Sequence, residues 1–402
     1  MKIAIFTDIF LDTFGGIPSS IAAQKAGLEK LGHQVTVFCP GFHQPKDTNI
    51  VVVPTRKWPK PNGAPLAYGP RRIENWLWAN VEDLKSFEVF HVHYEASVSI
   101  VGVRLAQRLK IPLVQTMHGR EDKALECNIP WGLQTVVGKM INSLHGWYLP
   151  HRMVVRKDQE LASTPGRAQM WTMMVNHANF AQVVITPSMH FAQKLQQYGV
   201  KRPIEVVSNG IDDEIVAQNW PLRKLEKGKK LKIIWNSRVS KEKRIMPFLA
   251  AVAECRDFVE VSVYGDGNEL ERAKKFVREK NLEKIVKLFG ATEHSKLFEK
   301  MRDQHLSVMA SYGFDTQGMT LLEAEATGLP VFFCDPDMAE VVPTGVQAAG
   351  PGVAEMVQAL RQLYQNPQRI EEMSAVMLKR RQDVAQSTQL KKLLKIYRKL
   401  ID

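Results

Sequence analysis

The sequence predicts an α/β protein made of two Rossmann-like halves, each built around a parallel β-sheet. The first observation is a βαβ opening, in which apolar runs at 2–7 and 34–39 flank a helical stretch near 19–31. The second is that the alternation of strands and helices starts again at 231–236, after a polar segment. Strands that alternate with helices in this way form parallel sheets. With 402 residues, the chain is long enough for two hydrophobic cores.

The same alternation predicts the domain organisation. The predicted segments are an N-terminal domain at 1–212, a linker at 213–230, a C-terminal domain at 231–385 and a terminal helix at 386–402. The linker is inferred from its polar residues, which end in a lysine-rich run. The terminal helix has leucines and Tyr397 on one face and basic residues elsewhere. That pattern fits packing on a domain as well as contact with anionic lipid.

The charge balance predicts an anionic partner. The chain has a formal net charge of +12 at pH 7, and no nucleic-acid-binding motif is recognisable, so DNA and RNA are not expected. Four scattered cysteines indicate neither a zinc site nor a disulfide framework and fit a reducing cytosol. A signal peptide and an apolar run of about 18 residues are both missing from the sequence. We therefore expect a cytoplasmic protein that does not span a membrane.

The stretch 315–330 predicts an anion-binding helix. Good helix formers run from Met319 to Ala326, and Gly328 with Pro330 ends the helix. Its unpaired N-terminal N–H groups favour an anion, and Gly318 allows a ligand to approach the backbone. Glu323 would lie near that anion among apolar neighbours, where sugar hydroxyls could donate hydrogen bonds to it. The alternative is a solvated acid on an ordinary helix.

A basic loop follows the strand predicted at 231–236. Arg238 and Lys243 are five residues apart, a pattern that suits a diphosphate, because the guanidinium binds two oxygens and the ammonium adds a point charge. Plain surface charge is the alternative, and the neighbouring Lys241 and Arg244 make it reasonable.

Candidate residues in the first half follow predicted strands, where open α/β sheets bind ligands. Gly15 and Gly16 lie at the first strand-to-helix turn, although the dinucleotide fingerprint GxGxxG is absent. His118 follows the strand at 111–116, while Tyr94 and Glu95 follow the strand at 89–93. A lone histidine or a glycine pair is more often structural than functional, so these positions carry less information by themselves.

Two further segments suggest a membrane surface. The stretch 54–78 is predicted to be a loop-like insertion, and its basic residues are interleaved with Trp58, Trp76 and Trp78. Tryptophan with cations is typical of a membrane interface, although the rings could instead pack on the domain. Apolar residues from Leu133 to Tyr148 recur at helical spacing. Core packing is the usual explanation for such a stripe, and contact with an acyl chain or a bilayer is the alternative.

Taken together, three motifs resemble retaining family-4 glycosyltransferases with the GT-B fold. They are the Gly15-Gly16 loop, the Arg238–Lys243 pair and the acids Asp315 and Glu323, which flank seven residues and of which the second precedes alanine. The family usually has glutamate as the first acid, so Asp315 is one methylene shorter. The Thr-Gln-Gly after Asp315 is most similar to the subgroup that glycosylates diacylglycerol.

The resemblance implies two Rossmann-like domains whose parallel sheets face an inter-domain cleft, with the terminal helix returning to the first domain. It also implies transfer of a hexose, with retention, from a UDP-sugar such as UDP-glucose to a lipid such as diacylglycerol at an anionic membrane surface. The protein would then be peripheral at the inner face of the plasma membrane. No cofactor is expected, and a metal is not required where Arg238 and Lys243 hold the diphosphate.

The resemblance also assigns residue roles. Arg238, Lys243 and the helix end at Gln317, Gly318 and Met319 would stabilise the departing diphosphate. Glu323 would hold the ribose, and Asp315 with His118 the sugar. The remaining assignments are Gly15 and Gly16 beside the phosphates, Phe289 near the base, and Glu95 with Tyr94 towards the acceptor.

Other functions remain open from the sequence. The acceptor could be a cell-wall glycan or a small molecule. A GT-B sugar-nucleotide epimerase would need acid and base groups for proton abstraction, and the sequence assigns none. A non-catalytic binder is supported only by the aspartate at position 315.

Overall fold

The computed structural model describes residues 1–11, 15–57, 65–158 and 160–402. These residues form two compact units, Met1–Ser208 with Gln389–Asp402, and Asn209–Thr388. Each unit contains a parallel sheet with its own buried apolar residues. The predicted α/β class with two Rossmann-like domains is therefore confirmed. The predictions for Trp58 and for the neighbouring basic residue Lys60 lie outside the described residues.

The first unit contains a seven-stranded parallel sheet in the order β3-β2-β1-β6-β7-β8-β9, beside a two-stranded antiparallel pair. Its strands are β1 (Lys2–Thr7), β2 (Gln34–Cys39), β3 (Ile50–Val52), the pair β4 (Thr55–Arg56) and β5 (Leu66–Ala67), β6 (Val89–His93), β7 (Leu113–Thr116), β8 (Val183–Thr186) and β9 (Ile204–Val206). β1 is buried from Ile3 to Thr7, as a strand covered by helices on both faces must be.

In the part of this unit that the structure describes, seven α-helices belong wholly to it. They are α1 (Gly16–Lys30), α2 (Pro70–Asn80), α3 (Ser97–Leu109), α4 (Glu121–Asn128), α5 (Gln134–Tyr148), α6 (Pro165–Ala178) and α7 (Met189–Gln197). The prediction of a loop throughout 54–78 is wrong, because α2 occupies its last part. Pro70 is preset for the first turn of that helix, and Ile73 and Leu77 bury one face. Of the tryptophans in this stretch, Trp76 packs partly against the core, and Trp78 is exposed beside Arg108.

The second unit contains a six-stranded parallel sheet in the order β12-β11-β10-β13-β14-β15. Its helices begin with α8 (Asp213–Ala217), and its strands are β10 (Leu231–Asn236), β11 (Val259–Tyr264), β12 (Val286–Gly290), β13 (Leu306–Met309), β14 (Val331–Phe333) and β15 (Val346–Gln347). The other helices are α9 (Ile245–Glu254), α10 (Leu270–Glu279), α11 (His294–Met301), α12 (Met319–Ala326), α13 (Val353–Gln365), α14 (Gln368–Arg380) and α15 (Gln386–Ile401). Within the predicted linker, Trp220 is buried among apolar residues of this unit.

In each sheet, the order in which successive strands are added reverses beside the first strand of the sheet. β1 pairs with both β2 and β6, and β10 pairs with both β11 and β13. Loops that leave the carboxyl ends of such neighbouring strands diverge, which opens a crevice for a ligand. The two places to look for functional groups are therefore the loops after β1 and β6 and the loops after β10 and β13.

From Gln389 onward, α15 belongs to the first unit. Its buried face includes Leu390, Leu393 and Tyr397, which pack with residues of β1 and β2 such as Ile3 and Val35. The hydroxyl of Tyr397 lies 2.6 Å from Nδ1 of His91 on β6. The apolar face of this helix is thus used to cover the first sheet.

Candidate active site

In the second unit, the backbone of the loop after β10 packs directly against the glycine turn that follows β11. A Cβ added at Gly265 would lie 2.0 Å from the carbonyl oxygen of Ser237, and one added at Gly267 would lie 2.4 Å from that of Val239. Those distances are impossible for any other residue. The sequence therefore requires glycine at both positions to place the loop that carries Arg238.

The basic loop and the first acid of the motif meet directly. Nζ of Lys243 donates to Oδ1 of Asp315 at 2.6 Å, and both side chains are largely buried. Oγ of Ser311 donates to the other carboxylate oxygen of Asp315 at 2.5 Å. Arg238, by contrast, is mostly exposed and pairs with Glu242 at 3.1 Å. Lys243 is thus fixed in position, while the guanidinium of Arg238 faces solvent.

The second acid, Glu323, is buried, and each of its carboxylate oxygens has a hydrogen-bond partner. Nδ2 of Asn236 donates to Oε2 of Glu323 at 2.6 Å, and Nε2 of His294 lies 2.7 Å from Oε1. The hydrogen bond with Glu323 raises the pKa of His294 above its ordinary value, against the opposing effect of burial. The carboxylate of Glu323, on α12, therefore favours a protonated His294 imidazole beside it.

The N-terminus of α12 lies between these acids in the chain. Gly318 has a φ of 78°, which favours glycine, and it immediately precedes the first helical residue, Met319. Oε1 of Gln317 accepts hydrogen bonds from the backbone and side-chain amides of Asn209, at 3.0 and 2.9 Å. Oγ1 of Thr320 donates to the carbonyl of Asn236 at 3.1 Å. The start of the helix is therefore fastened to the end of β10.

Phe289 provides an exposed aromatic surface at the end of β12. Its ring stacks on Tyr264, with centroids 4.7 Å apart and planes inclined by 7°. The side chain of Phe289 is 55% exposed. Gly290 follows with a positive φ of 77°, which turns the chain away after the strand. A flat ring held in this way can stack with a nucleotide base.

In the first unit, three histidines lie side by side at the ends of β6 and β7. His93 Nδ1 and His118 Nε2 are 2.7 Å apart, while His91 Nε2 is 2.6 Å from Oγ1 of Thr116. Burial lowers the pKa of His118 to about 4 and that of His91 to about 3. At neutral pH these imidazoles are uncharged, so each ring can both donate and accept a hydrogen bond.

Two carboxyl groups occupy the same edge of this sheet. Burial raises the pKa of Glu121 to about 7, although a hydrogen bond from the hydroxyl of Tyr94 at 3.1 Å lowers it. Burial also raises the pKa of Glu95, and Glu121 adds to the rise. Tyr94 has a φ of 95°, a strained conformation for a bulky residue, and its carbonyl accepts from Gln115 at 3.0 Å. Such strain is concentrated at functional sites.

Asp8 follows β1 and holds the start of α3. Its carboxylate accepts from the backbone N–H groups of Ala96, Val98 and Ser99 at 2.7 to 3.2 Å. Gly15 and Gly16 adjoin residues 12–14, which lie outside the described part of the chain, and α1 begins at Gly16. The structure thus places one acid and the glycine turn after the same strand.

The sequence predictions missed four residues that the structure brings to these edges. They are Asp8, Glu121, Asn236 and His294. Asn236 was identifiable as the last residue of a predicted strand. Glu121, between Arg120 and Asp122, has the pattern of surface charge, and only the tertiary structure shows that it is partly buried and that its two neighbours are buried. Among the described residues, no group of three or more His, Cys, Asp or Glu side chains is arranged to hold a metal ion.

Comparison with protein families assigns both halves of the chain. Residues 14–215 match the family model Glycosyltransferase Family 4, and residues 217–380 match Glycosyl transferases group 1. The chain belongs to Glycosyltransferase Family 4. The resemblance inferred from the motifs is therefore confirmed, and the glycosyltransferase activity that it implies is supported by the relatives.

Two relatives of this glycosyltransferase are alpha-monoglucosyldiacylglycerol synthases. The Streptococcus pneumoniae protein is 25% identical over 353 residues, which are 82% of this chain and 70% of that protein. The Acholeplasma laidlawii protein is 23% identical over 394 residues, covering 92% and 89%. This chain is thus similar to glycolipid synthases over most of its length.

Solved structures share the fold of this glycosyltransferase. Anabaena Alr3699/HepE in complex with UDP and glucose aligns over 100% of both chains, with a TM-score of 0.71 and 15% identity. Sucrose-phosphate synthase from Thermosynechococcus elongatus aligns over 99% of this chain and 98% of its own, with a TM-score of 0.69 and 16% identity. These likenesses confirm the predicted GT-B fold. Among the helices that the structure describes, none has the length and apolar character needed to cross a bilayer.

Proposed function

We propose that this protein transfers glucose from UDP-glucose to diacylglycerol, with retention at the anomeric carbon, at an anionic membrane surface on the cytoplasmic side. The observation that carries the donor half is the convergence of Lys243, Asp315, Asn236 and Glu323 beside the switch point of the second sheet. The acceptor half is supported by the two relatives described above, both of which are named alpha-monoglucosyldiacylglycerol synthase.

The donor's diphosphate is proposed to bind between the basic loop and the start of α12. Arg238 offers a solvent-exposed guanidinium, and Lys243 adds an ammonium that Asp315 holds in place. The N–H groups at the start of α12 add the positive end of a helix dipole. These groups oppose the charge that develops on the leaving UDP, which is electrostatic catalysis by fixed groups. A metal ion is therefore not required in this proposal.

The rest of the donor is proposed to lie along the same edge of the sheet. Glu323 would accept hydrogen bonds from the ribose hydroxyls, since its oxygens already face the polar groups Asn236 and His294. Phe289 would contribute to the base site through its exposed ring. Asp315 is proposed to bind hydroxyls of the transferred sugar, and the same role is proposed for His118, which belongs to the first unit. Neither acid acts as a nucleophile in this proposal, and displacement takes place on one face of the sugar.

The acceptor is proposed to bind in the first unit, at the edge that carries Tyr94, Glu95 and Glu121. The acceptor hydroxyl of diacylglycerol is a neutral group that can donate to a carboxylate. Because the pKa of Glu121 is raised to about 7, this group can hold or release a proton near neutral pH.

The decisive experiment offers the purified protein several UDP-sugars together with a lipid extract. UDP release and the glycosylated lipid are followed by mass spectrometry, and the anomeric configuration of the product is read by NMR. The expected product is an α-glucosyl diacylglycerol. Glucose appearing on a polar glycan would shift the acceptor assignment, and an epimerised nucleotide sugar without transfer would favour the isomerase alternative.

Two variants test the donor residues. Arg238→Ala and Glu323→Ala should each lower kcat/KM by about a hundredfold or more, because a charged group that contacts the diphosphate or ribose is lost. The matched control is Arg256→Ala, which removes an exposed arginine whose side chain donates to the carbonyl of Ala253. Wild-type turnover in both test variants, with the control also active, would reject the donor site.

A further inference from the structure

Helix α5 is docked in the first unit through one face only. A Cβ added at Gly138 would lie 2.9 Å from the carbonyl oxygen of Gly166, and one added at Gly166 would lie 2.7 Å from that of Gln134. The backbones of α5 and α6 therefore touch, and glycine is required on both sides. Val137 and Ile141 are partly buried against the core. The inner part of the predicted 133–148 stripe is thus accounted for by packing.

The outer part of the stripe is exposed. The solvent-facing apolar residues in and just before α5, which we call the α5 face, have exposures between 54% and 84% and are Trp131, Leu133, Val136, Met140, Leu144 and Trp147. From Leu133 onward they recur every three or four residues, so they form one continuous stripe along the helix. A contiguous apolar patch of this kind is unusual on a soluble protein and indicates an interaction surface. Core packing, the usual explanation for such a stripe, therefore accounts for Val137 and Ile141 but not for the exposed residues of the α5 face.

The surroundings of the α5 face are cationic. Residues 131–157 include Lys139, Arg152, Arg156 and Lys157 and contain no aspartate or glutamate. All four basic side chains are exposed. An apolar stripe with a tryptophan at each end, in a segment whose charged side chains are all basic, is complementary to anionic headgroups above acyl chains.

We propose that the α5 face docks on an anionic lipid bilayer, with the helix lying in the plane of the interface. Trp131 and Trp147 then lie at headgroup level, Val136, Met140 and Leu144 enter the acyl region, and the basic residues contact lipid phosphates. The reason for such docking rests on the proposed function, because the proposed acceptor, diacylglycerol, is found in a membrane.

The docking surface is connected to the acceptor edge by one short helix. α4 starts at Glu121 and has eight residues, a length of about 12 Å. Its far end is tied to α5, because the side-chain amide of Gln134 donates to the carbonyls of Glu126 and Ile129 at 3.2 and 2.9 Å. A bilayer bound by the α5 face thus lies near the carboxyl groups proposed to receive the acceptor.

The test is co-sedimentation of the full chain with vesicles at low salt. The vesicles are made of phosphatidylcholine alone or of phosphatidylcholine with phosphatidylglycerol. The wild type should bind the anionic vesicles and lose that binding as salt is raised. Trp147→Ser with Met140→Ser should bind roughly tenfold or more weakly, because two exposed apolar side chains no longer enter the lipid. Lys139→Glu should weaken binding to the vesicles that contain phosphatidylglycerol and should not change binding to vesicles of phosphatidylcholine.

The control variants are Leu31→Ser and Lys30→Glu, an equally exposed apolar residue and a basic residue at the end of α1. They should bind vesicles as the wild type does. All substituted side chains are exposed, so the fold is retained, and UDP binding by calorimetry checks that the donor site is intact. If the serine variant bound anionic vesicles with wild-type affinity, the proposal would be overturned.

Two further outcomes separate this proposal from others. A lipid-free dimer that the serine substitutions dissociate would mean that a second copy covers the α5 face, and the lipid assignment would be rejected. α5-dependent vesicle binding without sugar transfer from any UDP-sugar would support the docking surface and reject the proposed function. Vesicle binding that the serine substitutions leave unchanged, together with normal transfer of glucose to diacylglycerol, would reject only the docking surface.

Discussion

Nζ of Lys243 lies 2.6 Å from Oδ1 of Asp315, and the two side chains are only 15% and 11% exposed. Asp315, one methylene shorter than the glutamate usual in the family, thus holds Lys243 of the basic loop in position. The same carboxylate accepts from Oγ of Ser311, so both of its oxygens are engaged. This pair links the loop after β10 to the loop after β13.

Removal of either partner should destabilise the protein, because the other charge is left largely buried. We expect Asp315→Asn and Lys243→Met each to lower the free energy of unfolding by about 1–3 kcal/mol. The double variant should lose less than the sum of the single losses, as measured by urea unfolding. Strictly additive losses would mean that the two groups do not interact, and the role of Asp315 would have to be reassigned.

Glu323 should control the protonation of His294. The hydrogen bond that the imidazole donates to Glu323 raises the pKa of His294, so the stabilisation from the pair is present below the ordinary value of 6.5. It is lost as the pH rises through the higher folded-state pKa. In the isosteric variant Glu323→Gln, the pKa of His294 should fall, since burial alone lowers it. The measurement is an NMR titration of the imidazole, and an unchanged pKa in the glutamine variant would argue against the contact.

Much of the fold was predictable because it depends on local pattern. Apolar runs gave β1 and β10, and Gly328 with Pro330 marked the end of α12. At the second switch point, the spacing of Arg238 and Lys243 suggested a diphosphate site with surface charge as the alternative, and Asp315 was singled out only through the resemblance to the family. The side chains that pair with the two acids of the motif could not be predicted from the sequence. Lys243 and Asp315 are 72 residues apart, and Asn236 and Glu323 are 87 apart.

Burial was the property that the sequence did not specify. The spacing from Leu133 to Tyr148 predicts a helix with an apolar stripe, and α5 is that helix. Which part of the stripe is covered depends on the glycine contact between α5 and α6, and that contact involves Gly166 far along the chain. The segment from Arg120 to Asp122 illustrates the same limit, since three successive charges are typical of a surface, while the structure buries Arg120 and Asp122 and partly buries Glu121.

The glycine turn after β11 should be essential for donor binding. In Gly265→Ala, the new methyl group would meet the carbonyl of Ser237, so the loop that carries Arg238 must move. We expect the affinity for UDP, measured by calorimetry, to fall by about tenfold or more, in line with the loss of a charged hydrogen bond. The control is Gly290→Ala, where φ is also positive but no atom lies within 4 Å of the added Cβ.

The control should lose only about 1 kcal/mol of stability from backbone strain, and it should still bind UDP. If both alanine variants bound UDP with wild-type affinity, the loop would not depend on its contact with the turn. Equal losses in both would mean that positive φ, rather than the carbonyl contact, is the cause.

A buried histidine cluster should make the first unit sensitive to acid. His145 Nδ1 lies 2.7 Å from His151 Nε2, and His145 Nε2 lies 2.9 Å from His177 Nδ1. Burial lowers the pKa of all three groups, that of His177 to about 3. Below pH 6.5 these histidines are therefore protonated in the unfolded chain but stay neutral in the native state. The free energy of unfolding falls as the pH drops from about 6.5 towards 3.

The expected slope is at most about 1.4 kcal/mol per pH unit for each histidine that stays neutral in the native state. Replacing His177 with phenylalanine should remove one histidine from this count, so the variant should lose stability less steeply below pH 6.5. The measurement is the free energy of unfolding at a series of pH values, with the exposed His43→Gln as the matched control. An identical slope in the wild type and His177→Phe would mean that the cluster is protonated in the folded protein, and the buried neutral triad would be disproved.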